Sequence, residues 1–129
     1  MFTQTASSTL NHERILAVQR YIRANLDQPL RRDVLASVAG FSIPHFHRVF
    51  TSVTGESAGA YVRRIRLERA GYKLRFGAID IMEVAMAAGY DSHAAFSKAF
   101  KKQYGCSPSD FRNLGCFKAS QLLREGKHP

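Results

Sequence analysis

Hydrophobic residues recur at helical spacing along most of the chain, and this pattern predicts an all-helical protein. Phe46, Val49, Phe50 and Val53 fall at positions i, i+3, i+4 and i+7, so they share one face of a helix. The same spacing begins after Asn11, a residue type that can cap a helix, and continues until Pro29. We therefore expect a first helix from Asn11 onward, preceded by a disordered segment, residues 1–10.

The chain also repeats itself at a spacing of about fifty residues. Residues 35–41 (LASVAGF) return as 84–90 (VAMAAGY), and 42–50 (SIPHFHRVF) return, after the extra residue Asp91, as 92–100 (SHAAFSKAF). Each copy predicts a short helix, a turn holding Gly40 or Gly89, and a second helix capped by Ser42 or Ser92, which is a helix-turn-helix pattern. The match extends further, pairing Gly55 with Gly105, Ser57 with Ser107 and Tyr61 with Phe111.

A long helix is predicted between the two copies. Ser57 can cap it, and its sequence runs without proline to Gly77, a distance of roughly 28 Å at 1.5 Å per residue. The expected fold is all-α, with about seven helices. We divide it into a first helix-turn-helix subdomain at residues 11–56, a connecting helix at 57–77, a second subdomain at 78–113 and a tail at 114–129. The tail contains one further possible helix around Phe117, Leu122 and Leu123.

Composition favours a polyanionic partner. The 129 residues carry 19 basic and 10 acidic side chains, a formal charge of +9. No apolar run is long enough to span a bilayer, so we expect no membrane partner. The N-terminal residues do not resemble a secretory signal, and the expected location is the cytoplasm.

The chain resembles the paired helix-turn-helix domain of the arabinose-regulator (AraC/XylS) family of bacterial transcription regulators, most strongly in its second copy. The resemblance is strongest in residues 85–92 (AMAAGYDS), 96–102 (FSKAFKK) and 105–108 (GCSP), and it extends from about Ile15 to Arg112. The size is similar to that of the family's small stand-alone activators. The resemblance implies a transcription activator that binds double-stranded DNA as a monomer, places the second helix of each copy in adjacent major-groove segments, and has RNA polymerase as a further partner.

The resemblance locates the DNA-reading positions, and helical geometry indicates which side chains face outward. The expected base-reading residues are Pro44, His47, Arg48 and Thr51 in copy one, and His93, Ala94, Ser97 and Lys98 in copy two. The expected contacts to the DNA backbone are Arg31, Arg32, Ser42, Arg63, Arg64, Ser92, Lys101 and Lys102. Arginine pairs with guanine through two hydrogen bonds, so Arg48 is the strongest candidate, whereas Lys98 suits a base or a phosphate equally.

Arg31 and Arg32 depart from the family pattern. They stand where relatives usually have a hydroxyl cap and an apolar residue, and where copy two has Asp80 and Ile81. A cation at a helix N-terminus opposes the helix dipole by roughly 0.3 to 1 kcal/mol, so stability does not account for this pair. A phosphate contact would account for it.

Other classes of function find little support in the sequence. No nucleophile with a base, carboxylate pair or phosphate loop is recognisable, so we expect neither an enzyme nor a cofactor. His45 and His47 are two positions apart on a helix and cannot chelate a metal together. Cys106 and Cys116 are expected to be free thiols. Two alternatives stay open: a helical adaptor for an acidic protein, and the DNA-binding part of a larger ligand-responsive or repair protein.

Overall fold

The computed structural model describes residues 2–76 and 80–125, with side chains from residue 8 onward. Within these ranges every regular element is an α-helix, which confirms the predicted all-α class. The eight helices are α1 (Phe2–Ala24), α2 (Arg32–Ala39), α3 (Ile43–Thr54), α4 (Ala58–Phe76), α5 (Ile81–Ala87), α6 (His93–Tyr104), α7 (Pro108–Arg112) and α8 (Cys116–Glu125). The chain forms two compact units, unit 1 up to Val62 and unit 2 from Arg63, and their boundary falls within α4.

Unit 1 is built around the apolar faces of α1, α2 and α3. Phe46 and Phe50 are fully buried, and their ring centroids lie 5.6 Å apart. Burial of one such side chain stabilises a fold by roughly 1.5–3 kcal/mol, so these rings dominate the core. The remaining core residues are Ile15, Val18, Ile22, Leu26, Leu35, Ala36, Ala39, Val49, Ala58, Tyr61 and Val62.

Unit 2 repeats this arrangement with α4, α5 and α6, and α7 and α8 complete it. Phe96 and Phe100 occupy the positions equivalent to Phe46 and Phe50 and are likewise fully buried. Phe111 packs edge-on against Phe100 at 5.2 Å and 74°, just as Tyr61 packs against Phe50 at 5.7 Å and 72°. Residues that are paired in the sequence repeat therefore make equivalent packing contacts in the two units.

Side-chain caps set the start of most of these helices. The hydroxyls of Ser57 and Ser107 each accept a hydrogen bond, from the amide of Ala60 and of Asp110 respectively, both at 3.1 Å. The carboxylate of Asp80 accepts from the amide of Met82 at 2.9 Å. These bonds satisfy amides that have no partner within the helix. The predicted caps at Ser57 and Asp80 are confirmed.

Helix α1 differs from its prediction at the N-terminal end. It begins at Phe2 and not at Asn11, so it includes residues 2–10, for which the sequence predicted disorder. Residues 2–10 contain neither proline nor glycine, and a helix already formed downstream extends at small cost through such a segment. Met1, the predicted helix end at Gly77 and tail residues 126–129 lie outside the described residues.

The tail contributes helix α8 to the core of unit 2. Ala119 and Leu123 are buried in the cluster that also holds Phe100 and Phe111. Gly71 of α4 faces this helix, because a Cβ built there would overlap Leu123 Cδ2. The sequence indicated a short helix in the tail, but its burial was not predicted.

Candidate nucleic-acid interface

Helix α3 presents the predicted reading face of copy one. Ser42 caps the helix by accepting a 3.4 Å hydrogen bond from the amide of His45, and Pro44 occupies the first turn, where its missing N–H is tolerated. Pro44, Arg48 and Thr51 are all exposed, while Phe46 and Phe50 anchor the opposite face in the core. An exposed arginine on a helix held by buried rings can reach a base edge without disturbing the fold.

His47 fits this reading face less well than its neighbours. It is half-buried beside the ring of Phe46, at a centroid distance of 5.6 Å. Its Nε2 atom is shielded from solvent and has no hydrogen-bond partner among the described residues. Only Nδ1 is therefore left for a base edge. His45, in contrast, packs edge-on against Phe41 at 4.7 Å, so the two histidines have different ring partners.

Helix α6 presents the equivalent face of copy two. Ser92 caps it by accepting a 3.1 Å hydrogen bond from the amide of Ala95. His93, Ala94 and Lys98 are exposed, and Ser97 is half-buried. Ser97 Oγ lies 3.4 Å from His93 Nδ1, so the imidazole and the hydroxyl form one polar group across the first two turns of the helix. This group and Lys98 are the polar side chains at the predicted reading positions of copy two.

The predicted backbone contacts are all exposed in the structure. Arg31 stands at the N-cap of α2 without a side-chain cap bond, and its only described ion pair joins Nε to Asp33 Oδ1 at 3.5 Å. Such an exposed pair contributes little to stability. The set comprises Arg31, Arg32, Ser42, Arg63, Arg64, Ser92, Lys101 and Lys102.

Positive charge is unequally divided between the two units. Unit 1 carries six basic and four acidic residues, a net +2, whereas unit 2 carries 13 basic and six acidic residues, a net +7. Phosphate attraction depends on such charge and is independent of sequence. The electrostatic attraction to a polyanion is therefore concentrated in unit 2.

Sequence reasoning missed a group of arginines at the two helix-turn-helix turns. Arg14 of α1 donates to the carbonyls of Ala39 and Gly40, at 3.5 and 3.4 Å. In unit 2, Arg69 of α4 donates to the carbonyl of Ala87 at 2.9 Å. A sequence signal for Arg14 did exist. The buried residues Ile15, Val18 and Ile22 of α1 have the same spacing as the buried residues Leu67, Ala70 and Leu74 of α4. In both helices an arginine, Arg14 or Arg66, comes directly before the first of them.

Known proteins resemble this chain in both sequence and fold. A family model described as a helix-turn-helix domain matches residues 35–114. Regulatory protein SoxS of Escherichia coli (strain K12) is 36% identical over 105 residues, which cover 81% of this chain and 98% of SoxS. The chain is also 40% identical to the right origin-binding protein of that strain over 92 residues, but it spans only 32% of that protein's length.

Solved structures of DNA-binding transcription regulators have a similar fold. A probable AraC family transcriptional regulator from Rhodopseudomonas palustris superposes with a TM-score of 0.69 at 26% identity, over 76% of this chain and 93% of that one. The DNA-binding domain of the transcriptional factor AdpA, solved with a target DNA, superposes with a TM-score of 0.67 at 25% identity, over 86% and 95%.

Two helix-turn-helix units with polar, basic outward faces define a DNA-binding transcription regulator. The chain belongs to the AraC/XylS family, as the family model and the match to nearly the whole of SoxS show. That family consists of DNA-binding regulators and not of enzymes, which confirms the class predicted from the sequence. No helix within the described ranges has an apolar stretch that could cross a membrane.

Proposed function

We propose that the protein binds double-stranded DNA as a monomer, with α3 and α6 in two adjacent major-groove segments, and activates transcription through contact with RNA polymerase. The observation that carries this proposal is the pair of equivalent exposed faces on α3 and α6. Both faces lie opposite a buried phenylalanine pair, so each helix can enter a groove while its unit stays intact. The proposed location is the cytoplasm, since bacterial DNA and RNA polymerase are found there.

The monomeric mode follows from differences between the two faces. Arg48 in copy one corresponds to Lys98 in copy two, and His47 corresponds to Ser97. A symmetric dimer would read a palindrome with two identical helices, whereas two different helices in one chain can read a site without two-fold symmetry. The expected operator is therefore non-palindromic.

The two units differ in what they add to binding. Unit 2, with its net charge of +7, supplies most of the phosphate attraction, while Arg48 gives unit 1 the strongest base reader. Ala94 and Ser97 offer copy two only a methyl contact and a short hydroxyl, neither of which discriminates strongly between bases. We infer that unit 2 anchors the protein and unit 1 contributes the larger share of sequence preference.

Selection of bound duplexes from a random pool tests this function. We expect one enriched non-palindromic site, a complex whose mass corresponds to one chain, and a log–log salt slope of several units at about −0.9 per phosphate contact. A palindromic site bound by two chains would contradict the monomeric mode. If no duplex is enriched, the chain does not read DNA sequence, and binding of an acidic protein becomes the better explanation of the +9 charge.

A further inference from the structure

The two turns that precede the reading helices have the same hydrogen-bond geometry. In copy one, the amides of Gly40 and Phe41 donate to the carbonyls of Ser37 and Ala36, both at 3.0 Å. In copy two, the amides of Gly89 and Tyr90 donate to the carbonyls of Met86 and Ala85, again both at 3.0 Å. Gly40 and Gly89 have φ angles of +76° and +93°, a region that glycine adopts without strain. Each turn sets the direction in which its reading helix starts.

An arginine from the preceding helix lies on the turn of copy one. The guanidinium of Arg14 contacts the carbonyls of Ala39 and Gly40, and its central carbon lies 5.1 Å from the centre of the Phe41 ring. The hydrogen bonds are long, so much of the attraction comes from the cation facing the C-terminal carbonyls of α2 and the aromatic ring. A Cβ on Gly40 would lie 3.2 Å from Arg14 Nη1, which shows how closely the guanidinium covers the turn.

Copy two has a similar arrangement, divided between two arginines of α4, although the carbonyl contact is one residue earlier than in copy one. A Cβ on Gly89 would lie 3.9 Å from Arg66 Nη1. The charges of Arg63 and Arg66 both act on Tyr90, the counterpart of Phe41. Arg69 supplies the carbonyl contact at Ala87. Helix α4 carries four arginines between residues 63 and 69. Arg66 and Arg69 are only partly exposed, whereas Arg63 and Arg64 are exposed.

We propose that Arg14 in copy one, and Arg66 with Arg69 in copy two, are positioning residues for DNA reading. Each holds the main chain of a turn and thereby fixes the reading helix, α3 or α6, that begins after it. They act without touching DNA. The inference rests on the proposed reading function of α3 and α6, and it makes the repeating unit three helices long, with α1 equivalent to α4.

Three variants of the 129-residue chain test the proposal for copy one. They are Arg14→Ala, Arg14→Lys and, as a control, Arg20→Ala, which removes an exposed arginine from the same helix. Three quantities are measured well below the unfolding transition. They are amide hydrogen exchange at Gly40 and Phe41, affinity for every single-base variant of a duplex selected by the wild type, and the salt slope of binding.

We expect Arg14→Ala to speed exchange of both amides, because the turn loses its charge-assisted contacts. Binding to the selected duplex should weaken by about tenfold, which corresponds to about 1.4 kcal/mol. Base preference should be lost only in the half read by α3, and the salt slope should stay unchanged. Lysine keeps the positive charge but lacks the planar guanidinium with its several N–H donors. Arg14→Lys should therefore bind DNA more tightly than Arg14→Ala but less tightly than the wild type. Arg66→Ala should affect the other half of the site, and Arg20→Ala should leave exchange and base preference as in the wild type.

Specific results would overturn the proposal. A salt slope reduced by about one unit in Arg14→Ala would identify a phosphate contact instead. Unchanged exchange at Gly40 and Phe41 would mean that Arg14 does not hold the turn, and faster exchange with unchanged base preference would mean that the turn does not govern reading. If the wild type itself shows no base preference, the reading function is wrong, and the exchange measurement still decides whether Arg14 holds the turn.

Discussion

Gly71 of α4 lies directly against Leu123 of α8, so closely that a single added carbon on Gly71 would overlap the leucine side chain. Alanine in place of a helical glycine normally stabilises a helix by about 1 kcal/mol. Here the added methyl group would enter a filled core, where overpacking costs about 1–3 kcal/mol. We therefore expect Gly71→Ala to lower the free energy of unfolding of unit 2, as measured by denaturant titration.

The same change in a Leu123→Ala background provides the control. With the leucine shortened, the overlap disappears, and Gly71→Ala should become neutral or stabilising relative to Leu123→Ala alone. The two effects of Gly71→Ala would then differ in sign. Equal destabilisation in both backgrounds would show that contact with α8 is not the reason for glycine at this position.

The N-terminus of α2 offers a second prediction. Asp80 caps α5 through its side chain, whereas Arg31 at the equivalent position of α2 makes no cap bond. Replacing Arg31 with Asp and Arg32 with Ile should stabilise unit 1 by about 1 kcal/mol, because it restores a cap and removes two cations from the helix start. It should also weaken binding to all duplexes alike and lower the salt slope by about one or two units. Thermal unfolding and binding at several salt concentrations measure the two effects; unchanged DNA binding would refute the phosphate contact.

Arg48 and Lys98 distinguish the two reading helices. If Arg48 binds guanine, Arg48→Ala should cost about 1–3 kcal/mol on the selected site and relax the preference at one base position. Lys98→Ala should act on the other half of the site, with a smaller change in preference. Affinities for all single-base variants of the site give both results.

Two outcomes would contradict this ranking of the helices. Equal weakening of every sequence by Arg48→Ala would place Arg48 on a phosphate. A larger loss of base preference from Lys98→Ala than from Arg48→Ala would make α6 the dominant reader.

Tyr104 should make unit 2 sensitive to alkali. Burial raises the pKa of Tyr104 from 10.0 to about 12. The folded state holds this proton more tightly than the unfolded state, so the contribution to stability is complete below about pH 10 and is lost as the pH rises toward 12. Over that interval the free energy of unfolding should fall by about 2–3 kcal/mol more in the wild type than in Tyr104→Phe.

Local features of the sequence predicted much of this fold. The spacing of Phe46, Val49 and Phe50 identified the buried side of α3. The repeat paired Tyr61 with Phe111, and the structure places these two rings in equivalent contacts. Both predictions rest on short-range periodicity and on comparison of the chain with itself. The family resemblance added the outward face that α3 and α6 share.

Contacts between distant residues were harder to predict. Arg14 donates to carbonyls that lie 25 and 26 positions further along the chain, and Leu123 packs against Gly71 of α4. Arginine and leucine are both common in helices, so residue type alone did not indicate either contact. His47 occupies a predicted reading position, but the shielding of its Nε2 depends on packing that periodicity does not describe. These features arise from tertiary structure. Only Arg14 has a sign in the sequence, its repeat-related counterpart Arg66, and that sign does not show which carbonyls Arg14 contacts.

Helix α4 closes the core of unit 1 with Tyr61 and Val62, and it provides the first helix of unit 2. Helix α1 serves unit 1 alone. A substitution in α1 can therefore be compensated within one unit, whereas α4 supplies side chains to both cores and carries the arginine that contacts Ala87. The two halves of the repeat are thus unequally free to change, and both new DNA preferences in nature and engineered ones should arise more readily by exchange of unit 1 segments than by alteration of α4.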